Sequence, residues 1–117
     1  MGKAVALAQD IFFIAKMKET AKLTGVELET AGTPQALAEA AKATTTSLLI
    51  VDLNARGSIE AIENLHAAGN TLPVIAYLSH VQVELAERAR AAGCTEVMPR
   101  SKFSKELAEI LTRTKTK

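Results

Sequence analysis

Cysteine is nearly absent: the chain of 117 residues contains one, Cys94. A disulfide within the chain is therefore excluded, and thiolates cannot build a metal cluster. Tryptophan is missing and aromatic residues make up only 3%, so the core has to be aliphatic. A large excess of one charge is missing too. The formal net charge is +1, which removes any whole-surface attraction to nucleic acid or to a membrane. No apolar run has the length of a membrane span, and the stretch from Ala4 to Ala8 meets Gln9-Asp10 too soon for a signal peptide. No glycine-rich phosphate loop is present; Gly32-Thr33-Pro34 reads as a turn. Ser47, Ser58 and Ser79 lack the G-x-S-x-G elbow. His66 and His80 are far apart and have no metal-ligand spacing. Cys94 follows Gly93 in a turn with no flanking base and reads as a small buried residue. These absences lead to an expectation of a cytoplasmic protein without a cofactor, a metal or catalytic residues of its own.

What is present is order. Apolar residues make up 48% of the chain, enough for the core of one domain, 1–117, and too short for two. No output domain is expected. Ala4 to Ala8 reads as a strand buried on both faces. Asp10 is a helix N-cap, with Ile11, Ile14, Met17 and Ala21 at helical spacing and Gly25 as the stop. Val26 to Thr30 alternates polar and apolar residues, as an edge strand does. Thr33-Pro34 starts a second helix. Thr44 to Thr46 is a connection, and Leu48-Leu49-Ile50-Val51 is the central strand, ending at Asp52. Ser58 is predicted to cap the third helix, which Gly69 closes. Pro73 opens a fourth strand, Val74 to Leu78. Ser79 and Gln82 have capping-box spacing for the next helix, which ends at Gly93. Thr95 to Met98 is a fifth strand. Ser101 or Ser104 caps a last helix with Phe103, Leu107, Ile110 and Leu111 inside. The Thr-Lys tail is expected to fray.

Five βα units in strict alternation predict a doubly wound α/β fold: a five-stranded parallel sheet, flavodoxin-like, between two layers of helices. In such sheets ligands gather at the carboxyl ends of the strands, near the point where strand order reverses. Those ends carry Gln9 and Asp10, Asp52 to Asn54, Leu78 to His80, and Met98 to Ser101.

Three segments carry a family resemblance: LLIVDLN (Leu48 to Asn54), LPVIAYLS (Leu72 to Ser79) and ARAAGCTEVMPRS (Ala89 to Ser101). In this order and spacing the chain resembles the receiver domain of bacterial response regulators, the CheY-like family, over residues 3 to 114. The resemblance implies a phosphoacceptor aspartate at the end of the third strand, here Asp52. It implies a metal-coordinating backbone carbonyl two residues on, at Asn54. The family's acidic pair for Mg²⁺ falls on Ala8 and Gln9, with Asp10 one place late. Its hydroxyl, which reads the phosphoryl group and shifts the neighbouring helix, falls on Leu78, with Ser79 one place late. Its lysine falls on Arg100 and the following proline on Ser101, while Pro99 precedes the basic residue.

These departures deplete the metal site, because Mg²⁺ requires carboxylates in octahedral geometry. Arg100 keeps the positive charge and can fork onto Asp52, balancing the pocket without metal. The chain therefore reads as a pseudo-receiver. Asp52 is phosphoacceptor-like; Gln9, Asp10, Asn54, Leu78, Ser79 and Arg100 line the pocket. His80 either lines it too or faces solvent. A protein partner is expected, without direct nucleic-acid or membrane binding. The resemblance also admits a homodimer through helix 4, strand 5 and helix 5. The alternative is a working receiver, phosphorylated on Asp52 by a histidine kinase with Mg²⁺. A flavodoxin-like ligand binder rests on fold analogy alone.

Overall fold

The apolar runs do become strands, and the order of elements is the expected one. The structure is a computed structural model that describes residues 2–79 and 82–115. The strands are β1 (Lys3–Leu7), β2 (Glu27–Ala31), β3 (Thr46–Asp52), β4 (Val74–Leu78) and β5 (Glu96–Pro99). The helices are α1 (Ile11–Thr24), α2 (Pro34–Ala41), α3 (Ser58–Ala67), α4 (Val83–Ala92) and α5 (Arg100–Thr112). All strand pairs are parallel, in the order β2-β1-β3-β4-β5. Strand order reverses between β1 and β3, and Asp52 ends β3 at that switch point.

Side chains alternate across the sheet and build two cores. Ala4, Ala6, Leu48, Ile50, Ile75 and Tyr77 face α1 and α5. Val5, Leu7, Leu49, Val51, Val74 and Ala76 face α2, α3 and α4. The edge position of β2 explains its alternation: Glu27 and Glu29 are exposed. Among the described residues no helix is long and apolar enough to cross a membrane.

Several local expectations need correction. Ile11 is 71% exposed, and Phe13 takes the buried position with Met17 and Ala21. Both residues are apolar; the phase of the helix is set by packing against β2 and α5, which periodicity cannot see. Ser58 is the first helical residue rather than the cap. Gly57 holds the N-cap at φ 78°, a conformation that favours glycine. The Ser58 hydroxyl instead donates to the Leu53 carbonyl at 2.8 Å. No capping box forms before α4, because Ser79 is engaged elsewhere. Neither Ser101 nor Ser104 caps α5, which begins directly after Pro99. Thr46 belongs to β3, its hydroxyl donating to the Ala40 carbonyl at 2.7 Å. The tail is anchored rather than frayed through Lys115: Thr114 is buried, its carbonyl accepts from Gly2, and Lys115 donates to the Thr24 carbonyl at 2.5 Å. His80 and Val81 lie outside the described residues, as do Thr116 and Lys117.

Candidate functional site

Asp52 continues the alternation of β3 onto the α1/α5 side, opposite Tyr77 of β4. It is only 4% exposed. Its Oδ1 accepts the Asn54 backbone N–H at 2.9 Å, closing a tight turn just past the strand. Its Oδ2 faces Arg100 Nη2 at 4.0 Å. Arg100 opens α5, and its other terminal nitrogen, Nη1, lies 3.5 Å from Asp10 Oδ2. Asp10 does two jobs. Its Oδ1 accepts from the N–H groups of Phe12 and Phe13 at 3.0 and 3.3 Å, capping α1, and Oδ2 serves the arginine. The structure thus places Asp10 both at the cap of α1 and beside Arg100. Its second oxygen reaches the pocket through Arg100, without any shift of register.

The guanidinium also lies over aromatic rings, with Cζ 4.9 Å from the Phe13 centroid and 5.8 Å from that of Tyr77. This cation–π packing further holds Arg100 inward. Tyr77 stacks on Phe103 at 4.6 Å, and Phe13 completes the cluster. The Tyr77 hydroxyl and Arg100 Nε are buried and make no hydrogen bond to the described protein atoms. Burial pushes the Asp52 carboxyl above its usual range; the Asn54 N–H and Arg100 pull it down, and the Asp10 charge pushes it up. Tyr77 is raised as well, by burial first and then by the Asp52 charge.

The other predicted residues divide. Asn54 touches Asp52 through its backbone and Ser79 through its side chain: Asn54 Oδ1 accepts from the Ser79 N–H at 2.8 Å and from its hydroxyl at 2.9 Å. Gln9 is turned away. Its amide donates to the Gly32 carbonyl, and its Oε1 accepts from the Arg56 N–H, both at 3.2 Å. Leu78 belongs to the aliphatic core on the opposite side of the sheet, so it does not line this pocket. His66 sits in the last turn of α3, beside Val74 at the amino end of β4. Burial pushes the Cys94 thiol up to about 11, against nucleophilic use. Sequence reasoning missed Phe13 and Tyr77 as the bed of Arg100; no motif joins residues so far apart.

The donor set fits Mg²⁺ poorly. Ala8 offers no side-chain oxygen, Gln9 is committed to the loops, and both available carboxylates face one guanidinium. Among the described residues no three His, Cys, Asp or Glu side chains converge as a metal site.

Sheet order and switch-point site define a doubly wound, flavodoxin-like α/β protein. Within that class, the chain has the CheY-like receiver fold of two-component response regulators. No family model matches the sequence, and no curated protein does; the fold is shown by solved structures. The receiver domain of the Francisella response regulator 1452 superposes with a TM-score of 0.83 at 14% identity, covering 100% of both chains. The chemotaxis response regulator CheY4 of Vibrio cholerae gives 0.79 at 24% identity, covering 97% of this chain and 98% of that one. NtrX from Brucella abortus, solved in complex with ADP, gives 0.80 at 16% identity; the match covers 97% of this chain and 26% of NtrX.

Proposed function

We propose that this chain is a receiver-like signalling module that works by binding a protein partner, with its phosphorylation centre replaced by an internal ion triad. One observation carries the reading: Arg100 lies between Asp10 and Asp52 and reaches both carboxylates. A carboxylate that attacks phosphorus needs its own charge, and that of the incoming phosphoryl group, neutralised in place. Here Asp52 Oδ2 faces an arginine that Asp10 and two aromatic rings hold. Leu78, where the family's hydroxyl falls, is turned into the aliphatic core on the other side of the sheet. On this reading the chain is not an enzyme and needs no cofactor. Its partner face is α4, β5 and α5, with a homodimer through that face as one arrangement.

A second reading has support in the same geometry. At 4.0 Å the Arg100–Asp52 contact is long, leaving Oδ2 without a tight partner. Asp52 is then a working phosphoacceptor served by a histidine kinase, with Arg100 supplying positive charge to the phosphoryl oxygens. Incubation with Mg²⁺ and a small phosphodonor, followed by intact mass measurement, separates the two. The first reading expects unchanged mass. A gain of one phosphoryl group, lost in Asp52→Asn, would establish the second.

A further inference from the structure

Both fully buried residues of α4, Ala89 and Ala92, lie in its second half. In its first half Val83 is 62% exposed, and Leu85 and Ala86 are only partly buried. A groove of about 180 Å³ runs between this helix and β5, lined by Leu78, Val83, Ala86, Val97, Met98 and Pro99. Leu85 and Ala86 pack against the aliphatic core, but Val83 in the first turn stands open, so polar contacts add to the position of that turn.

Those polar contacts converge on one side chain. Gln82, at the N-cap position, does not cap its own helix; its Oε1 accepts from Asn54 Nδ2 at 3.1 Å. Asn54 Oδ1 takes the Ser79 N–H and hydroxyl. The backbone N–H of Asn54 meanwhile donates to Asp52 Oδ1. One residue thus holds the buried carboxylate with its main chain and the approach to α4 with its carboxamide. Leu78, at the end of β4, has no polar side-chain group to provide a parallel link.

We infer that Asn54 is a relay: a change at Asp52 reaches the first turn of α4 through Asn54, and reaches it far less when the carboxamide is removed. The physical basis is that a hydrogen bond to an ionised acceptor is markedly stronger than one to a neutral acceptor. Loss of charge at Asp52 loosens the turn that aims the Asn54 side chain. The inference rests on the proposed function only in taking the α4 face as the partner face. The coupling itself belongs to the isolated chain.

Amide NMR and hydrogen exchange on the wild type, Asp52→Asn, Asn54→Ala and the double variant test it as a cycle. The Ala86 amide, which donates to the Gln82 carbonyl at 2.9 Å, is the reporter. Asp52→Asn should shift its resonance and speed its exchange about threefold to fivefold, the scale of one weakened hydrogen bond. With Asn54→Ala already present, the same change should produce less than half that response. Gln82→Ala, which cuts only the outer arm, should reduce it too while leaving the Ser79 amide protected. An equal response with and without the carboxamide would overturn the relay, as would no response in the wild type. No phosphodonor or partner enters these measurements, so failure of the proposed function would leave their outcome untouched.

Discussion

The two sides of the sheet are built from different materials. The side facing α2, α3 and α4 is aliphatic throughout, from Val5 and Leu7 to Ile62 and Leu65. The side facing α1 and α5 holds Phe13, Tyr77 and Phe103, three of the four aromatic residues of the chain. Asp52 and Arg100 sit on that aromatic side. The difference has a physical reason. A guanidinium can lie over a ring face, whereas an alkyl wall offers only desolvation. The scarce aromatics are spent where a charge is taken out of water.

Substitutions can break or sharpen this contrast. Phe103→Ala should cost about 4 kcal/mol of stability by denaturant unfolding, the usual range for a buried ring. It should also move the titration of Asp52. Leu49→Ala should cost about 3 kcal/mol and leave that titration in place. If both variants move Asp52 alike, the two sides are not separate environments.

Arg100→Met should cost about 1–2 kcal/mol at neutral pH, less than a fully buried pair because the arginine is about one-third exposed. The loss should depend on pH. Without the arginine, Asp52 is held still higher above its usual range, so the destabilisation appears as pH rises through that value and fades in acid. Urea midpoints measured across the acid range would reveal it.

Asp52→Asn should raise stability by about 1 kcal/mol at neutral pH, since it removes a desolvated charge and keeps the volume. The sign follows from linkage. A carboxyl raised on folding contributes stability that is full below its unfolded pKa and is lost as pH rises through its folded pKa. The variant should lack that loss. The smallest effect expected is for Ile62→Val on the aliphatic side, a loss of about 0.5 kcal/mol with the same pH profile as the wild type.

Much of this fold was legible in the sequence because local signals agreed with it. Pro73 marks the start of β4, Gly25 and Gly93 follow α1 and α4, and Asp10 and Thr33 cap where expected. The site was legible in part. Asp52 and Arg100 could be paired through the family resemblance, and their contact lies at the limit of ion-pair distance. What stayed hidden depends on residues distant in the chain. The bond from Asn54 to Gln82 spans 28 positions, and the capping-box spacing of Ser79 and the resemblance that puts Ser79 at the pocket do not reveal its bond to Asn54. The resemblance puts Gln9 at the pocket, but its carboxamide takes backbone partners in two other loops. Phe13 and Ile11 were interchangeable by hydropathy alone, and only the neighbouring α5 and Arg100 decide between them.

The central claim is that Arg100, rather than a divalent cation, answers the charge of Asp52. NMR titration of the Asp52 carboxyl carbon, with and without millimolar Mg²⁺, tests it most directly. The account predicts a titration above the usual aspartate range that Mg²⁺ leaves unmoved. A bound cation would favour the ionised form, so a marked fall of the Asp52 pKa on adding Mg²⁺ to the wild type would contradict it.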